Sequence, residues 1–207
     1  MTPQLEISIT PLSRRARLTI VLALCVWLAA VGTGWATLAW HSNQAGVKGI
    51  APAVVTTDSA KWRLLMFIHP RCPCSVASLR ELERLIARCD QQLGVTIYFY
   101  QPEASSASWV QGALWDSAVR IKAVHAESDP GGKLAVQFGS ATSGDVLLYD
   151  GAGRLRYHGG ITSARGHEGD SLGKSAVISA IHGDEPPVNE CPVFGCELRR
   201  NQQVSND

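Results

Sequence analysis

The chain has 207 residues, 45% of them hydrophobic, and a formal net charge of +1. That suits one modest domain with appendages and supplies no basic footprint for nucleic acid, so nucleic-acid binding is excluded. Six cysteines in a chain of this length make thiol chemistry the first question to put to it.

From Leu18 to Trp40 the sequence reads LTIVLALCVWLAAVGTGWATLAW, without a charge. At 1.5 Å per residue this run is long enough to cross a hydrocarbon core of about 30 Å, and it predicts a transmembrane helix over 18–40. Arg14, Arg15 and Arg17 precede it and no Lys or Arg follows until Lys48. The positive-inside rule then keeps residues 1–17 in the cytoplasm and carries the rest across, as a single-pass protein of the inner (cytoplasmic) membrane with its C-terminal domain in the periplasm. The run exceeds the roughly 7 to 15 residues of a signal-peptide core and lacks a clear A-x-A site, which favours a retained anchor over a cleaved signal. SRRARL matches a twin-arginine signal poorly, because Arg17 stands where an apolar residue is expected.

An oxidising space lets disulfides form and persist. Cys25 lies inside the span, where it reads as a small apolar residue; Cys72, Cys74, Cys89, Cys191 and Cys196 lie beyond it. Five thiols cannot all pair, so at least one is free, ligating or transiently bonded.

Residues 41–60, HSNQAGVKGIAPAVVTTDSA, read as a linker, with AVVTT adding a short strand; the domain proper covers 61–198 and a tail follows over 199–207. WRLLMFIH is an apolar run closed by a proline and predicts a buried strand. Leu79, Leu82, Leu85, Ile86 and Cys89 recur at helical spacing opposite Arg80, Glu81, Glu83 and Arg84, which predicts an amphipathic helix over 73–88 and makes Cys89 buried filler. VTIYFY (95–100) predicts a second strand, 106–121 a helix opened by a serine cap, and GGKLAVQFG (131–139) a short helix. DVLLYD and RLRYHGGIT around GAG predict a β-hairpin, and 171–182 a last helix capped by Asp170 or Ser171.

This β-α-β-α-β-β-α order, with MFIHPRCPCS placing two thiols on the first strand-to-helix junction, resembles the thioredoxin fold: an α/β class, central mixed sheet flanked by helices. The resemblance covers roughly residues 61–182. Aligned on the second cysteine of the usual C-x-x-C motif, Cys74 matches and Cys72 is displaced by one position. A thiol in the first turn of a helix faces unpaired N–H groups and the positive end of the dipole, so its thiolate is favoured, with Arg71 and His69 as further help. A ring closed over one residue is strained and therefore oxidising, which points to an oxidant or isomerase.

The resemblance carries further expectations. The family's proline before the third core strand, associated with substrate docking and with keeping metals off the thiols, is replaced here by Ser143 and Gly144. Its topology returns the last strand to the edge of the first, so GGITSARGHEGD (159–170) should lie near the thiols, making His167, Glu168 and Asp170 supporting or ligating groups, or merely members of a solvated loop. GDEPPVNE can span about 26 Å and bring CPVFGC back to the site. Cys191 and Cys196 then resolve a disulfide, complete a thiolate cluster, or simply bridge each other.

The leading reading is a membrane-tethered thiol-disulfide oxidoreductase acting on protein dithiols or disulfides or on a redox partner, with no cofactor. Cys72 is the attacking thiol and Cys74 its partner, or the reverse. The anchor, HPRCPCS, RGHEGD and PVFGC together look similar to RedB-type thioredoxin-like proteins. The alternative is a copper carrier in which Cys72 and Cys74 hold Cu(I), because soft thiolates select it. A thiol peroxidase ranks third.

Overall fold

A computed structural model describes residues 13–56, 61–89 and 92–199. They fall into two units, divided between His41 and Ser42. The first is the helix α1 (Arg14–Ser42), which carries the apolar span with its large side chains exposed and is long and apolar enough to cross a membrane.

The second unit is built on a five-stranded sheet in the order β3-β2-β1-β4-β5, from β1 (Trp62–Ile68), β2 (Leu93–Gln101), β3 (Val124–Pro130), β4 (Asp145–Tyr149) and β5 (Leu155–Gly160). β1 runs parallel to β2 and antiparallel to β4, with Phe67 opposite Asp145, and Asp145 in turn opposite Gly160 of β5. The ends of β1 and β5 and the start of β4 therefore meet at one edge of the sheet. Its central strand is apolar on both faces because both are covered. Leu64, Met66 and Ile68 pack under α2 (Ser75–Ile86), α3 (Ala113–Arg120) and α5 (Leu172–His182), while Leu65 and Phe67 face α4 (Lys133–Gln137) and Leu198.

β3 was absent from the expectation drawn from sequence. VHAESDP carries four polar side chains and no apolar run, yet it pairs with β2 from Val95↔Val124 to Gln101↔Pro130. As an edge strand it has one neighbour and is mostly exposed or half-buried, so hydrophobic patterning leaves no mark on it. The helix expected over 106–121 is a 3₁₀ turn, Ala107–Trp109, followed by α3, with the extended backbone of Gly112 between them. Ser171, not Asp170, caps α5: its hydroxyl accepts from Lys174 N at 3.2 Å. Residues 43–56, read as a linker, lie along the second unit, with Gly46 N donating to Val193 O, Gly49 N to Gly139 O and Val55 N to Gly153 O. Val54 forms an isolated bridge with Arg154; the remainder of the strand expected at AVVTT, Thr57, lies outside the described residues.

One buried ion pair ties the second layer together. Glu81 of α2 is fully buried and accepts from Lys174 Nζ of α5 at 2.7 Å, from Gly169 N at 2.9 Å and from Arg84. Burial works to raise its pKa, but Lys174, the Gly169 amide and Arg84 outweigh it and hold the carboxyl below its usual range. Leaving Lys174 without its partner should cost about 3–5 kcal/mol, so Glu81→Gln is expected to lower the denaturation midpoint of the detergent-solubilised chain sharply. Because the folded pKa is depressed, this stabilisation is present above the unfolded value of about 4.3 and is lost as pH falls through the folded one. Acid titration of stability should therefore be flatter in Glu81→Gln than in the parent.

Candidate functional site

The junction between β1 and α2 occupies the sheet edge described above. After Ile68 the chain turns, with Cys72 N donating to His69 O at 3.0 Å and Ser75 N to Cys72 O at 3.1 Å. Pro73 suits this entry to a helix, since it has no N–H to leave unpaired. Cys74 is the N-cap and makes no side-chain cap bond. Cys72 is 1% exposed, whereas Cys74 and Cys196 are half-buried.

Two other segments converge on this turn. The loop before β4 contributes Ser143, whose hydroxyl accepts from His69 N at 2.8 Å and lies 2.7 Å from Ser75 Oγ. The segment after α5 runs first beside β5, with His158 N donating to Asn189 O and Gly160 N to Pro192 O. It then crosses the edge and pairs antiparallel with the loop before β4: Thr142 bridges Glu197, Ser143 N donates to Cys196 O at 2.8 Å and Leu198 N to Ala141 O at 2.9 Å. Two glycines permit the approach. A Cβ on Gly195 would stand 1.9 Å from Ser143 O, and one on Gly159, at φ +150°, would stand 2.2 Å from Cys191 O.

The consequence is that Cys196 Sγ lies 3.0 Å from Cys72 Sγ, too long for a disulfide of about 2.05 Å and within reach for exchange. Cys72, Cys74 and Cys196 place their three sulfurs within 4.8 Å of one another. Burial alone would raise the pKa of Cys72. The Cys196 thiol, the Ser75 hydroxyl and the N–H groups of Cys196 and Cys74 reverse that and bring it below the usual thiol value. Burial and the charge on Cys72 push Cys74 up, against Arg165. Burial and the contact with Cys72 push Cys196 up to about 12. Of the three sulfurs, Cys72 is thus the one whose environment favours the thiolate, while those of Cys74 and Cys196 favour the thiol.

The remaining residues singled out from sequence fall in different places. His69 accepts from Arg71 N through Nδ1 and stacks on Tyr100 at 5.8 Å. The Arg71 guanidinium sits 4.5 Å from the centre of the Trp109 ring, so the cation beside the thiols is Arg165, which also donates to Gly195 O. Gly144 lies next to the site with φ +93°, its N–H donating to Phe67 O. His167 is exposed and outside the sulfur cluster; Glu168 pairs with Arg80 and Arg84, and Asp170 lies 3.5 Å from Lys174. Cys191 is packed against the core beside Tyr157 and forms no bridge with Cys196. Cys89 is buried at the far end of α2. Ser143, expected from sequence at the position of the family's proline, does lie at the site, while Ser75 and Arg165 have no role in the sequence-based expectation; Arg165 stands in the very loop expected near the thiols. His69, Arg71, Trp109, Thr142, Arg165 and Cys196 line a cleft of about 770 Å³ beside the cluster.

No protein-family model matches the chain, and no curated protein is similar to it in sequence. Among solved structures it is similar to a hypothetical protein of Sinorhizobium meliloti 1021, at 21% identity and a TM-score of 0.54 over 76% of this chain and 96% of that one. It is also similar to an uncharacterized conserved protein of Geobacillus kaustophilus, at 16% identity and a TM-score of 0.57 over 78% and 95%. The exposed lipoprotein thioredoxin of Streptococcus pneumoniae strain TIGR4 aligns at 18% identity and a TM-score of 0.45 over 66% and 98%. With its β1-α2-β2-α3 half, its β4-β5 hairpin with α5, and its thiols at the first strand-to-helix junction, the chain has a thioredoxin-like fold.

Proposed function

We propose that the chain is a membrane-tethered thiol-disulfide oxidoreductase of the periplasm, with Cys72 as the attacking thiolate and Cys196 as the thiol that resolves its mixed disulfides. The observation that carries this reading is the 3.0 Å separation of the two sulfurs, with their pKa values driven in opposite directions. Cys74 sits across a single proline from Cys72, and a ring closed over one residue strains the bond; a bond to Cys196 spans 124 residues and escapes that constraint. The arginines in the first turn of α1, ahead of its apolar run, support an orientation that keeps the N-terminus in the cytoplasm and the thiols in an oxidising space.

The electron bookkeeping is closed by thiols alone. Cys72 thiolate attacks one sulfur of a substrate disulfide, forms a mixed disulfide and releases the other sulfur as a thiolate that takes a proton from water. The negative charge on Cys72 has then gone, and with it one of the influences that, beside burial and Cys74, hold the proton on Cys196. Cys196 deprotonates, attacks Cys72 Sγ and expels the substrate's second thiolate. The substrate disulfide is reduced by two electrons and Cys72–Cys196 is the new disulfide. Run backwards, the same steps oxidise a substrate dithiol. Resolution is therefore timed by the first attack: Cys196 is a poor nucleophile until Cys72 has reacted.

Oxidised glutathione should convert the reduced full-length chain to a species lighter by two hydrogens, with peptide mapping placing the bond between Cys72 and Cys196. Cys72→Ser is expected to abolish the reaction and Cys196→Ser to accumulate glutathione on Cys72. A bond between Cys72 and Cys74 in the parent would sink the assignment of Cys196. The pH profile supplies a second check. Alkylation of Cys72 should titrate below the ordinary thiol value of about 8.5, and Cys196→Ala should move that midpoint upward, because it removes the thiol hydrogen bond that stabilises the thiolate.

A further inference from the structure

Three sulfur donors face one another in the reduced protein, and among the described residues no imidazole or carboxylate completes the group. That donor set selects its ligand. Zn(II) is held in closed sites by four donors in a tetrahedron, whereas soft thiolates select Cu(I). Metal–thiolate bonds of about 2.3 Å place three sulfurs at the corners of a triangle with edges of about 4 Å. The observed separations, 3.0 Å between Cys72 and Cys196 and no more than 4.8 Å for any pair, bracket that triangle.

Charge is met as well. One Cu(I) and three thiolates carry a net charge of −2, which needs donors and a cation around it. Arg165 acts on both Cys74 and Cys196, and its Nε is buried with no hydrogen-bond partner among the described residues. The N–H groups of Cys74 and Cys196 already point to Cys72 Sγ. The third donor is supplied by the segment after α5, so the site exists only while Cys196 is docked at Ser143.

We propose that the reduced protein binds one Cu(I) ion in a three-coordinate site formed by the sulfurs of Cys72, Cys74 and Cys196. Binding exchanges protons for metal without any change of oxidation state: each sulfur binds as a thiolate, and the protons still held on the three sulfurs leave as the three Cu–S bonds form. A Cys72–Cys196 disulfide removes two of the donors, so copper and disulfide exclude each other. The proposal goes beyond the oxidoreductase reading and does not rest on it.

The test is a titration of the reduced full-length chain in detergent, without oxygen, with Cu(I) against a chromophoric Cu(I) chelator, followed by X-ray absorption of the loaded protein. One Cu(I) per chain is expected, with three sulfur scatterers and no nitrogen. Cys72→Ser, Cys74→Ser and Cys196→Ser should each weaken binding by more than about 100-fold, beyond what loss of a supporting group costs, while Cys191→Ser leaves it unchanged. Gly195→Ala retains all three sulfurs but displaces the segment, and should also weaken binding; circular dichroism checks that each variant is folded. Two-coordinate copper that is indifferent to Cys196→Ser, or Zn(II) that displaces Cu(I) at equal concentration, would overturn the proposal. Glutathione exchange in the copper-free chain reports separately on the oxidoreductase reading.

Discussion

A sulfur buried among groups that favour its charge is the constraint around which this site is organised. Cys72 is almost wholly removed from solvent, and a thiolate there is tolerated only if protein donors replace the lost water. The helix start gives the Cys74 N–H, α2 gives Ser75, and a segment more than a hundred residues later gives both an N–H and a thiol from Cys196. Ser143 links two of these sources, since it touches Ser75 through its hydroxyl and takes up Cys196 O through its N–H. Each donor is weak alone. Together they reverse the direction in which burial would move the sulfur.

The scaffold that holds these donors is itself fastened away from the chemistry. Glu81 and Lys174 join α2 to α5, and the Gly169 N–H bonded to Glu81 holds the end of the loop that carries Arg165. A buried ion pair is a poor source of net stability against an apolar alternative, but it is directional. Here it sets where the loop after β5 leaves α2, and so where a guanidinium meets Cys74 and Cys196.

What could be read from the sequence followed the range of the physics involved. The β1–α2 junction was plain because burial on both faces of a strand and on one face of a helix are local patterns. The hairpin and the capped last helix were plain for the same reason. β3 was not, because an edge strand with VHAESDP gains its place from backbone pairing with β2, which no side-chain pattern announces. The break at Gly112 and the register of Cys196 on Ser143 were equally hidden. That CPVFGC had the length to return was readable; that it pairs antiparallel across 141–143, with Gly195 clearing the way, depends on contacts between segments far apart in sequence.

The distance along the chain between the two sulfurs has a further consequence for how the protein comes into being. Cys72 is synthesised 124 residues before Cys196. Two of the four groups that favour the charge on Cys72, the thiol and the N–H of Cys196, reach it only when the segment after α5 has docked beside Ser143. The local turn between β1 and α2 therefore does not by itself make up the surroundings of this sulfur; completion of the fold does.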